Sequence, residues 1–93
     1  MKNLSSIAQD VSELLIKRGE TVAISESSSG GLISAALLAV PGASRYFLGG
    51  GVVYTAVARE QLLSINFDDY PGFRSSSEPY AELAASTIKE RLG

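Results

Sequence analysis

A chain of 93 residues with a formal net charge of −2, 45% hydrophobic residues and 19% charged ones has the make-up of one small globular unit. Because it contains no cysteine and no histidine, disulfides, thiolate chemistry, a Cys/His zinc site and a Ser-His-Asp triad are all excluded. The basic residues are scattered and no apolar run approaches the roughly 18 residues of a membrane span, so neither nucleic acid nor a membrane is expected as a partner.

Met1-Lys2-Asn3 passes straight into an amphipathic pattern with no apolar leader, which makes the cytoplasm the expected compartment. Leu4, Ile7, Ala8, Val11, Leu14 and Leu15 recur at helical spacing, with Asn3 or Ser5 as N-cap and Gly19 beyond the last turn. Thr21 to Ser25 is short and β-branched and reads as a strand that ends in the turn Glu26-Ser27-Ser28-Ser29-Gly30-Gly31. Leu32 to Val40 is nearly all apolar, which predicts a helix buried on most sides and stopped by Pro41-Gly42. Ala43 to Leu48 suits a short helical turn. Gly49-Gly50-Gly51 marks a close approach of backbones, and Val52-Val53-Tyr54 is the expected second strand.

Thr55 is placed to cap a helix carrying Ala58, Leu62 and Leu63. Asn66 to Arg74 reads as a loop, and Ser75 with Glu78 offers a capping box for a last helix. Pro79 fits the first turn of that helix, and Tyr80, Leu83, Ala84, Thr87, Ile88 and Leu92 form its inner face. Two strands joined through a helix are expected to lie parallel with a right-handed crossover, giving an α/β fold of three α/β/α layers with about four helices. Two strands leave both sheet edges unpaired, so residues 1–93 are expected to form part of a larger domain and to self-associate as a homo-oligomer.

The turn after the first strand carries the most chemistry, because hydroxyls and two glycines at a helix start place free backbone N–H groups around Ser27. Three readings stay open: a nucleophile beside an oxyanion hole, a nest for a phosphate or carboxylate, and a polar turn in which Ser29 caps the next helix. Arg59 is a cation suited to the same anion. GxxxxGK[ST] is absent and Gly49-Gly50-Gly51 does not match GxGxxG. Ser86 to Lys89 matches S-x-x-K only by letter, and Asp68-Asp69 are too few to cage a metal. No cofactor and no metal are expected. Tyr46, Phe47, Tyr54, Phe67, Tyr70, Phe73 and Tyr80 read as core or interface aromatics, and Lys2, Lys17 and Lys89 as solvated helix residues.

Four segments also carry a resemblance in chain order. Glu26 to Gly31 resembles the ESCTGG signature of the CinA C-terminal domain family, bacterial competence-damage-inducible proteins and nicotinamide-mononucleotide amidohydrolases. Pro41-Gly42-Ala43-Ser44 with Tyr46-Phe47, then Gly51-Val52-Val53-Tyr54 continuing through Arg59 to Leu63, and finally Ser77-Glu78-Pro79 are similar to later motifs of that family. The resemblance implies hydrolysis of a nicotinamide nucleotide's carboxamide to carboxylate and ammonia by a serine nucleophile with a lysine base and a tyrosine. It places the nucleophile on Ser27 and the tyrosine on Tyr54, with Ser28, Ser29, Gly30, Gly31 and Thr55 expected to bind a small nucleotide or anion. The chain departs from the pattern where Arg59 stands for the lysine and Ala56 for an asparagine, so little deamidase activity is expected.

Overall fold

The computed structural model describes residues 3–93, and Lys2 therefore lies outside the described residues. The first amphipathic stretch forms α1 (Leu4–Arg18), opened by the Asn3 side chain accepting from the Ser6 N–H and closed by Gly19 in the left-handed region. These are the predicted caps. β1 (Val22–Glu26) follows, then the glycine turn and α2 (Leu32–Leu38), a short 3-10 turn (Ala43–Arg45) and β2 (Phe47–Val52). The chain closes with α3 (Ala56–Leu63), a second 3-10 turn (Phe67–Asp69) and α4 (Glu78–Leu92).

β1 and β2 pair in parallel, as expected, but β2 begins five residues before the predicted Val52. The correction has a steric cause. Gly49, Gly50 and Gly51 lie opposite Ala23, Ile24 and Ser25, and a Cβ on Gly50 would overlap the Ile24 carbonyl. Glycine, depleted in strands because it packs nothing, is here the residue that lets the two backbones approach.

Helices cover both sheet faces, which gives the expected three layers. On one face Ala8 of α1, Leu37 of α2 and Tyr46 pack with Val22 and Ile24. On the other, Val53, Leu63, Ile65, Tyr80 and Ala84 form a second cluster under α3 and α4. The Tyr46 hydroxyl ties the first cluster together: it donates to the Leu37 carbonyl and accepts from Ser12 Oγ at 2.9 Å.

Two burial expectations are corrected. α2 is not buried on most sides, since Leu32, Ile33 and Leu38 are exposed and only Leu37 is fully covered. A seven-residue helix over a two-stranded sheet has too little beneath it to cover more than one stripe. Tyr54 is 70% exposed and so is no core aromatic: it follows the end of β2, where Val53 is the residue buried. Leu62 and Leu92 also face solvent. The cap of α4 is Ser77, whose hydroxyl accepts from the Tyr80 N–H, and not the predicted Ser75. Among the described residues no helix is long and apolar enough to cross a membrane.

Candidate functional site

β1 delivers Glu26 and Ser27 to the carboxyl end of the sheet, where ligands of open α/β folds characteristically bind. The turn that follows needs two successive residues in the left-handed region, and Gly30 and Gly31 supply them with φ of 62° and 96°. That reversal aims the start of α2 back at β1. The result is a carboxylate cap on the helix start: the Glu26 carboxylate accepts from the Ile33 N–H at 2.9 Å, the Ser34 N–H at 3.0 Å and the Ser29 hydroxyl at 2.8 Å.

This arrangement corrects the reading of Ser29 as the cap of the next helix and takes one N–H of the expected nest. Glu26 itself occupies the helix start, and Gly30 N–H is spent on the Ser27 carbonyl. Glu26 is only 3% exposed. Burial by itself pushes its pKa up, but hydrogen bonds from Ser34, Ile33 and Ser29 outweigh that and bring it from 4.5 down to about 2. The carboxylate is therefore ionised at neutral pH.

Ser27 sits half-buried on the wall shared by two adjoining cavities, each of about 380 Å3. The first runs between Ser25–Ser29 and the start of α4, where Ser75, Ser76, Ser77, Glu78 and Tyr80 face it. The second is bounded by Ser27, Ser28, Tyr54, Ser75 and Ser76. Two serine triplets, 27–29 and 75–77, thus confront each other across the cleft. The hydroxyls of Ser27, Ser28, Ser75 and Ser76 make no intramolecular hydrogen bond among the described residues.

The structure brings Ser27, Ser28, Ser29 and Tyr54 together but leaves Arg59 out of both cavities. The Arg59 guanidinium carbon lies 3.9 Å from the Phe67 ring centroid and 5.7 Å from that of Tyr80, a cation–π stack within the α3/α4 cluster. Thr55 accepts the Ala58 N–H and so serves as the cap of α3. Lys17 and Lys89 are exposed. Among the described residues no set of acidic, histidine or cysteine side chains converges as metal ligands.

Tyr80, Glu78 and the second serine triplet were not singled out from sequence as site residues. The one signal was the repetition of three serines ahead of two different helices, at 27–29 and 75–77. Burial raises the Tyr80 phenol pKa, opposed in part by the Arg59 charge behind the ring, so it is a neutral hydrogen-bond donor at the cleft wall.

A family model described as the CinA C-terminal domain matches residues 4–93. The chain is 41% identical over 87 residues to a protein of Desulforamulus reducens described as competence-damage inducible, covering 94% of this chain and 21% of that one. It is 42% identical over 88 residues to a CinA-like protein of Prochlorococcus marinus, covering 95% of this chain and 20% of that one. The crystal structure of the competence damage-inducible protein A (ComA) of Klebsiella pneumoniae superposes with a TM-score of 0.90 at 25% identity, over 99% of this chain and 57% of that one. The chain thus spans about a fifth of the length of these curated relatives.

Proposed function

The chain belongs to the CinA C-terminal domain family, and from that premise we propose that its serine-lined cleft receives a ribosylated nicotinamide, with Ser27 as the nucleophile toward the carboxamide and turnover held low. The observation that carries the reading is the sharing of one cavity by Ser27 and Tyr54 while Arg59 is stacked on Phe67 outside it.

In the chemistry proposed, Ser27 Oγ adds to the carboxamide carbon as its proton passes to a base. The C–N bond then breaks, ammonia leaves with that proton, and the acyl group rests on Ser27 as an ester. Water hydrolyses the ester, releasing the nicotinate product and restoring the hydroxyl. A base must be able to give up its own proton, and a guanidinium with a pKa above about 12 does not. Arg59 fails on chemistry and on position, and Tyr80 is held protonated. Tyr54 lines the second cavity with Ser27 and is exposed, and it supplies a hydrogen bond to the bound carboxamide.

The test is ammonia release from nicotinamide mononucleotide by this chain and its Arg59→Lys form, each also joined to the remaining part of the domain from a solved relative. Ser27→Ala serves as the control throughout. Only the extended Arg59→Lys protein is expected to show Ser27-dependent release. Ser27-dependent release by the unaltered chain would remove the argument from Arg59.

A further inference from the structure

Resting on the reading that this cleft takes a ribosylated nicotinamide, we propose that Tyr80 is a further ligand-contacting residue, its hydroxyl donating to an acceptor oxygen of the bound nucleotide. A hydroxyl that packing does not need carries the inference. Tyr80 is 4% exposed, and its ring belongs to the apolar cluster of Val53, Leu63, Ile65 and Ala84. Burying a hydroxyl without a partner is unfavourable, and a phenylalanine would fill the same space without it. Phe67 and Phe73, which pack against the same cluster, do so.

Tyr46, equally buried, satisfies its hydroxyl inside the protein through the Leu37 carbonyl and Ser12. The Tyr80 hydroxyl has no such partner among the described residues, since the bond from Tyr80 to Ser77 is made by its backbone N–H. No buried polar side-chain atom among the described residues lacks a hydrogen-bond partner. The Tyr80 phenol oxygen is therefore one that opens onto space, and Tyr80 lines the first cavity.

The first turn of α4 sets Tyr80 across that cavity from Ser25 to Ser29 at the end of β1. Phe67 meets the ring edge-on, with centroids 5.2 Å apart and planes at 78°, and the Arg59 guanidinium carbon stands 5.7 Å from its centroid. Clamped between these neighbours, the ring has little freedom left to lose when a ligand arrives. A cation behind a phenol also favours movement of its proton toward an acceptor, so the hydroxyl is directed to donate.

The test is calorimetric titration of this chain and its Tyr80→Phe form with nicotinamide mononucleotide, alongside urea unfolding of both without ligand. Tyr80→Phe is expected to bind about three- to tenfold more weakly, the effect of one lost neutral hydrogen bond. Its unfolding midpoint should equal or exceed the parent's, because the hydroxyl makes no bond within the protein to lose. Equal affinity of the two forms would overturn the role of Tyr80 and leave the reading of the Ser27 cleft standing. A lowered midpoint, in this chain or when it is joined to the remaining part of the domain, would assign the hydroxyl to a bond within the protein and overturn the ligand contact. Absence of binding by the folded parent would overturn the reading of the cleft, and the contact with it.

Discussion

Glu26 is an acid whose charge is used by the protein itself, and its loss has a signature that separates it from an ordinary packing defect. Its carboxyl has a lower pKa folded than unfolded, about 2 against 4.5, so the stabilisation it gives is complete above 4.5 and disappears as pH falls toward 2. We predict that urea unfolding of the parent loses on the order of 2 kcal/mol across that window. In Glu26→Gln the neutral amide leaves one of the Ile33 and Ser34 donors without an acceptor, which should cost about 1 to 3 kcal/mol at pH 7. The acid-dependent part should then be absent. A variant that kept the parent's slope between pH 4.5 and 2 would assign the slope to another carboxylate. The Glu26 to Gly31 motif was legible in the sequence as a strand end meeting a helix start. Its occupant was not, because the acid lies seven and eight residues from the N–H groups it accepts, across a turn whose direction only the two left-handed glycines set.

At the level of elements, two contacts decide how strand and helices meet. Gly50 and Gly51 are neighbours in β2, yet only the first faces a backbone: an added methyl at Gly50 would overlap the Ile24 carbonyl, whereas at Gly51 its nearest contact would be Val53 at an ordinary 3.9 Å. Gly50→Ala is therefore expected to destabilise by about 1 to 3 kcal/mol or more, and Gly51→Ala to stay within about 1 kcal/mol of the parent. Equal effects of the two substitutions in denaturant titration would contradict the register Ile24 to Gly50. Tyr46 makes the second contact. Removing its hydroxyl strands the Leu37 carbonyl and a bond from Ser12, both buried, so Tyr46→Phe should cost about 1 to 3 kcal/mol although the ring and its packing are kept. A neutral result would mean that water replaces the phenol there.

Taken whole, the molecule leaves apolar surface and strand edges uncovered. Leu4, Ile7 and Val11 of α1 and Ile33 of α2 border an apolar groove of about 250 Å3, and among the described residues each strand of the sheet has one neighbour. We predict association that grows with concentration in sedimentation velocity and is reduced by Ile7→Glu; a monomer at all concentrations with cooperative unfolding would speak against it. The sequence by itself determined the helices, their caps at Gly19 and Thr55, the parallel pairing and the family, because helix periodicity, cap chemistry and ordered motifs are written within a turn or two of chain. Only the tertiary structure decided that three glycines would be a strand, that Arg59 would leave the cleft for Phe67, and that Ser75 and Ser76 would face Ser27. Each of these depends on what a distant segment places opposite the residue, and a local pattern carries no record of its partner across space.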